Sequence, residues 1–336
     1  MRTAVAGVVM LLSTVGALAQ PQPVTVDNFT RAETDLYFGG MVKQGGLGTF
    51  FHHRQPPSVD AQSVVRLNRD TLYSSAVIDL DAGPVSVTLP DAGQRFMSLF
   101  TIDQDHYVGG VFYKPGTYTF SKDKVGTRYF LLGVRTFVDP ANPKDLEQVH
   151  ALQDALKIEQ ANVGSFSITQ WDPASQKKVR DALLTLQSTL PDFKNAFGAR
   201  RDVDPIRHLL GTAAGWGGNP DKDAIYLNVT LPKNDGTTVY RLTVPKDVPV
   251  DGFWSLTVYN AEGYFEKNPY DAYAFNNVTA KKNADGSVSL QFGGCDGKVA
   301  NCLPIMKGWN YLVRLYRPRE EVLKGQWSFP TPQAGN

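Results

Sequence analysis

Apolar residues recur along this chain in two rhythms, and the changes of rhythm divide it. From Asp27 to about Gly45, "DNFTRAETDLYFGGMVKQGG" sets Phe29, Ala32, Leu36, Tyr37 and Met41 near helical spacing behind an aspartate able to cap. That pattern predicts a helix closed by glycines. From Val64 to Val138 the apolar positions fall in short runs rich in Val, Thr, Phe and Tyr, punctuated by "DAGP", "PDAGQ", "KPGT" and "KVGT". Such spacing predicts an antiparallel sheet or sandwich. Between about 140 and 215 the rhythm is helical again, and three predicted helices begin with a capping residue followed by proline: Asn142-Pro143, Asp172-Pro173 and Asp204-Pro205. Val179, Leu183, Leu186 and Leu190 form one apolar stripe, and "SFSITQW" at 165–171 reads as an intervening strand. Beyond "GWGGNP" strands return at 224–231, 237–244, 253–260, 286–292 and 309–316, with turns at "KNDG" and "NADG".

The first residues follow neither rhythm. Arg2, the apolar run "AVAGVVMLL" at 4–12 and "ALA" at 17–19 form the pattern of a secretory signal peptide, cleaved before Gln20. The apolar run is too short to span a bilayer, and no later run is long enough. The expectation is an exported chain, periplasmic or extracellular. Without that segment, 33 basic residues face 33 acidic ones. So balanced a surface argues against a nucleic-acid partner, which calls for a concentrated basic face. Cys295 and Cys302 are the only cysteines. An even count, an oxidising destination and a Gly-containing turn between them predict a disulfide, contributing about 2.5 kcal/mol in the chain-entropy picture. Their spacing is not that of a redox or zinc pair.

Candidate chemistry is thin. There is no nucleophile elbow, zinc-protease helix, phosphate loop, dinucleotide fingerprint or calcium loop. At the start of "NRDTLYSSAVIDL" (68–80), Asn68, Asp70 and Thr71 are residue types that bond to nearby backbone where a strand begins, while Asp70 as a base and Tyr73 as a donor would make the edge of a cleft. "DQDHY" (103–107) offers Asp103, Asp105 and His106, which read as a solvated loop unless His52 or His53 join them around a metal. His150 and His208 fall in helical patterns as surface or packing residues. In "FWSLTVYN", Phe253, Ser255, Thr257 and Tyr259 share one face and Trp254, Leu256 and Val258 the other; Leu312, Arg314 and Tyr316 share a face of "YLVRLYRP". Arg314, in an apolar strand, either grips an anionic ligand or holds a structural acid such as Asp79.

Several of these stretches carry a resemblance. "NRDTLYSSAVIDLDAGPVSVTLPD" and "RFMSLFTIDQ" are similar to the DUF1254 region, and "GWGGNPDKDAIY", "DGFWSLTVYN", "NADGSVSLQFGG" and "YLVRLYRPREEVLKGQWSFP" resemble the DUF1214 region of a bacterial exported family. The resemblance implies a mainly β chain: an immunoglobulin-like β-sandwich and a jelly-roll β-sandwich with a helical segment between them. The expected divisions are a signal peptide at 1–19, an N-terminal helix and first sandwich at 20–140, a helical segment at 141–215 and a jelly roll at 216–332. It implies no agreed activity. Where the family has a tryptophan, "NCLPIM" has Cys302. Three functional readings follow: a binding protein for a small or carbohydrate-like ligand, a hydrolase on an exported substrate using Asp70, His106 and Arg314, and an envelope structural or interaction protein. Asn68, Asp70, Tyr73, His106, Trp254, Tyr259, Arg314 and Tyr316 are the candidate ligand-binding residues. No metal and no cofactor are named, and nothing indicates an oligomeric state.

Overall fold

The computed structural model describes residues 20–62 and 65–335. The expected signal peptide lies outside the described residues. Two pairs of packed sheets dominate. In the first sandwich a five-stranded sheet has the order β1 (Phe51–His52), β2 (Thr71–Asp79), β7 (Tyr129–Phe137), β4 (Met97–Asp103), β5 (Val108–Phe112). Facing it is a sheet of β6 (Gly116–Phe120), β3 (Val85–Leu89) and β8 (Lys157–Gln160). Alternation explains the join: Ala76, Ile78, Leu99, Leu132 and Val134 point inward from the large sheet to meet Val85, Val87 and Leu89.

The second sandwich repeats the principle with different order. One sheet runs β14 (Cys302–Leu303), β13 (Val288–Phe292), β10 (Tyr240–Val244), β16 (Gln333–Ala334); the other runs β12 (Ala274–Asn276), β11 (Trp254–Tyr259), β15 (Asn310–Tyr316), β9 (Ala224–Val229). Trp254, Leu256, Val313 and Leu315 fill the space between the sheets together with Leu290, Phe292 and Trp309. The chain is therefore mainly β, with antiparallel sheets except for the pairing of β13 with β14. Cys295 and Cys302 form a disulfide beside that pairing.

Helices cover the free face of the five-stranded sheet. α1 (Phe29–Lys43) lies against β2, and α4 (Pro173–Gln187) and α5 (Pro205–Gly215) pack on α1 and on each other; α3 (Pro143–Asp154) and the short α2 (Lys122–Val125) and α6 (Glu320–Leu323) complete the set. Asn142, Asp172 and Asp204 each accept hydrogen bonds from the first-turn amides of the helix that follows, at 2.9 to 3.1 Å, which satisfies donors that a helix leaves unpaired.

Three local expectations are corrected. Asn28, not Asp27, occupies the cap position of α1, with no side-chain cap bond. Leu186 is exposed, and Leu190 reaches the helical cluster from the turn after α4. The segment 165–171 is not a strand: only Trp171 makes a bridge, to Gln22. Its alternating Phe166 and Ile168 pack onto Phe38 and Val77, while the Tyr129 hydroxyl accepts from Ser167 N and donates to Ser165 O at 2.8 Å. A side chain there replaces the partner strand.

Candidate functional site

The outward face of the second sandwich is unusual for a sheet, because it is covered by the first sandwich and yet carries polar residues. Period-two alternation puts Phe253, Ser255, Thr257 and Tyr259 of β11, Arg314 and Tyr316 of β15, Tyr226 of β9 and Asn276 of β12 on this side. The segment leading into β2 runs across it. Asp70 is buried and both its oxygens are used: Oδ2 accepts from Ser255 Oγ at 2.5 Å and Oδ1 from Asn276 Nδ2 at 3.0 Å. Asn68 Oδ1 accepts from Asp70 N at 3.0 Å, while its Nδ2 lies 3.1 Å from the oxygens of Thr71, Tyr73 and Tyr316.

Arg314, also buried, belongs to this seam. Its Nη1 donates to Thr257 Oγ1 and its Nη2 to Tyr259 Oη and to the carbonyl of Arg66, all at 2.8–2.9 Å. Arg66 has a left-handed backbone, φ 56°, which turns that carbonyl toward the guanidinium. Burial opposes the Arg314 charge, but Tyr259, Tyr316 and Asp70 outweigh it, so its pKa is raised. Asp79, proposed above as its acid, instead pairs with Arg128 at 2.8 Å. Both terminal nitrogens of Arg314 are thus taken up by acceptors of the protein itself.

A second arginine stands on the facing sheet. Arg135 of β7 is half-buried, paired across the sheet with Tyr73 of β2 and Ser98 of β4. Its Nη2 donates to Gly217 O at 2.8 Å and its Nη1 to Asn219 Oδ1 at 3.2 Å. The guanidinium lies 4.7 Å from the Phe100 ring centre and 5.7 Å from that of Tyr73. Burial works against its charge, but Tyr73, Tyr226 and Tyr316 more than offset it, so its pKa is raised. Among the described residues no carboxylate lies within 4.0 Å of it. Asn219 Nδ2 donates to Tyr226 Oη at 2.9 Å, closing a ring of phenols around the cation.

His106 contributes from behind. The 103–107 segment is a tight turn rather than a solvated loop, with His106 at φ 63° and 1% exposed. Its Nε2 accepts from Gly217 N at 2.9 Å and its Nδ1 is 2.9 Å from Thr212 Oγ1. Gly217, at φ 81°, suits the left-handed turn that lets its amide face His106 while its carbonyl faces Arg135. His106 thus fixes the turn that holds Arg135. His208 is buried beside it and stacks on Tyr107 at 4.4 Å. His52 bonds Ser74 at 2.8 Å, far along the fold, and among the described residues no group of three His, Cys, Asp or Glu side chains is placed to hold a metal.

The structure therefore joins Asn68, Asp70, Tyr73, Tyr259, Arg314 and Tyr316 in one seam, and puts His106 behind it. Trp254 lies on the opposite side of β11, packed in the core of the second sandwich. Asp70, His106 and Arg314 do not converge on one point, and the partners of Asp70 and His106 occupy the atoms a general base would use. Arg135, Tyr226 and Asn219 were missed. The signal was present in "YFLLGVRTFV", where Arg135 interrupts an apolar strand just as Arg314 does.

Residues 47–160 match the family described as Protein of unknown function (DUF1254), and residues 230–320 match Protein of unknown function (DUF1214). No curated protein matches the chain. Among solved structures, the VPA0106 protein from Vibrio parahaemolyticus is similar at 19% identity, over 93% of this chain and 100% of that one, with a TM-score of 0.70. A putative uncharacterized protein from Burkholderia cenocepacia is similar at 15% identity, over 94% and 91%, with a TM-score of 0.52. At these identities the likeness is one of fold.

Proposed function

This chain belongs to the DUF1254/DUF1214 proteins, and from that premise we propose that it is an exported binding protein that holds a small or carbohydrate-like ligand, by an anionic group, at the junction of its two sandwiches. The observation that carries the reading is Arg135: a half-buried guanidinium, ringed by the hydroxyls of Tyr73, Tyr226 and Tyr316, with no carboxylate within 4.0 Å among the described residues. A cation taken partly out of water without a counter-ion is costly, and a bound anion relieves the cost. Carboxylate, sulfate and phosphate all match the planar donor edge of arginine. Export is supported by the amino-terminal pattern of the sequence and by the Cys295–Cys302 disulfide, since such bonds persist in oxidising compartments.

The test is a thermal-shift and calorimetric screen of the mature protein against small carboxylates, sulfate, phosphate and sugars, repeated with Arg135→Gln. The expected result is an anion that raises the unfolding midpoint of the wild type and binds at least about tenfold more weakly to the variant, the loss of a charge-assisted hydrogen-bond pair. The variant should itself lose about 1–3 kcal/mol, because it leaves Gly217 O and Asn219 Oδ1 without this donor and gives up the contacts with the Phe100 and Tyr73 rings. If no anion shifts the wild type, or if Arg135→Gln binds equally well, the reading is wrong.

A further inference from the structure

A second unsatisfied group lies near Arg135. Asp223, buried, stands just before β9; its Oδ1 accepts from Tyr113 Oη at 2.8 Å, and its Oδ2 is buried with no hydrogen-bond partner. Buried carboxylate oxygens are ordinarily bonded, so one left bare marks a place where a donor belongs. Register places it relative to Arg135. Tyr73, Arg135 and Ser98 are successive cross-strand partners, and Leu99 opposite Phe112 brings Tyr113 to the next place in that row. Tyr113 is thus two strand spacings from Arg135, about 10 Å between backbones. Phe112 turns toward the interior of the sandwich, so Tyr113 shares the outward side with Arg135. The Phe96 ring packs beside this row, 5.9 Å from Tyr113 and 5.3 Å from Tyr316.

The two poles are therefore a donor without an acid and an acceptor without a donor, with the half-buried Phe96 ring alongside. Charge decides what the acceptor end takes. Lys222 and Arg317 lie near Asp223, and the Arg317 guanidinium covers the Tyr113 ring at 4.7 Å. Two cations thus already face this one carboxylate, so an ammonium group is disfavoured at Asp223 and a neutral hydroxyl is favoured. Resting on the function proposed above, we infer that the ligand is a hydroxylated carboxylate of sugar-acid type: its carboxylate on Arg135, a hydroxyl donated to Asp223 Oδ2, and its ring against Phe96. Burial raises the Asp223 pKa against the lowering effect of the Tyr113 hydrogen bond, as befits a carboxyl short of solvation.

The experiment is calorimetric titration of the mature protein with D-glucuronate, D-galacturonate and D-gluconate. D-glucose serves as the matched ligand without a carboxylate, and cyclohexanecarboxylate as the one without hydroxyls. At least one sugar acid should bind ten times more tightly than both controls. Asp223→Asn should lose about tenfold for that acid and leave cyclohexanecarboxylate unchanged. Should cyclohexanecarboxylate match every sugar acid, or the Asp223→Asn variant bind the sugar acid as well as the wild type, the inference is overturned while the anion site survives. Should no carboxylate bind at all, the inference is overturned, and the function it rests on falls too if sulfate and phosphate also fail to bind. If Asp223→Asn fails to fold, the wild-type comparison decides alone.

Discussion

Two arginines interrupt apolar strands on facing sheets, and side-chain partners alone separate their roles. Arg314 is closed in by Thr257, Tyr259 and the Arg66 carbonyl, so its removal leaves buried acceptors without a donor. Arg314→Gln should cost about 3 kcal/mol in urea unfolding, and Tyr259→Phe, which removes one of its partners, should cost less than half as much. A loss below about 1 kcal/mol for Arg314→Gln would mean the seam tolerates an empty centre and would reopen it as a ligand residue. What the sequence contained here was the oddity of an arginine among apolar neighbours; it selected Arg314 and passed over Arg135. The partners come from more than 50 positions away for Arg314 and more than 80 for Arg135. No spacing rule along the chain reaches that far.

At the scale of elements, what could be read depended on whether the determinants are local. The capped starts at Asn142, Asp172 and Asp204 and the alternation of β11 and β15 are settled within a few residues, and both were expected. The 103–107 turn was not, because His106 takes a left-handed backbone only to reach Thr212 and Gly217 on α5 and beyond. This turn has a pH signature. Burial first, and then the neighbouring His208, holds the His106 pKa well below 6.5 in the folded chain. The unfolded chain therefore takes up that proton first, so stability is unaffected well above pH 6.5 and declines as pH falls below it. Asp103, pushed by burial up to about 6, acts oppositely: the folded state protonates first and gains stability as pH falls from about 6 toward 3.8. Comparing wild type with His106→Asn cancels Asp103 and isolates the histidine. The stability gap between them should narrow by about 1.4 kcal/mol per pH unit below 6. A gap that stays constant between pH 7.5 and 5 would show that His106 is not held neutral.

For the whole molecule, the question is whether two sandwiches with separate cores behave as one. Their contact combines the polar seam with an aromatic wedge: Phe253 is stacked on Tyr316 at 4.3 Å and lies 5.1 Å from Phe96 and 4.9 Å from Phe137, the last two from the first sandwich. Interfaces inside a chain uncouple readily when they are small and wet, but this one buries phenylalanine rings and leaves no charge of Asp70 or Arg314 unbonded. Neither sandwich can open alone without exposing those groups, so thermal unfolding should show a single transition by both near-ultraviolet dichroism and calorimetry. Phe253→Ala removes the centre of the wedge while leaving the core around Phe292 and Trp309 untouched, at a cost of about 3–5 kcal/mol. That variant should unfold in two steps, the first sandwich and the second separating. Because Arg135 and Tyr73 come from one sandwich and Tyr226 and Tyr316 from the other, uncoupling them should also abolish anion binding without altering either core. Two transitions already present in the wild type would mean the sandwiches are independent, and the junction would then be a hinge around the anion site rather than a fixed wall of it.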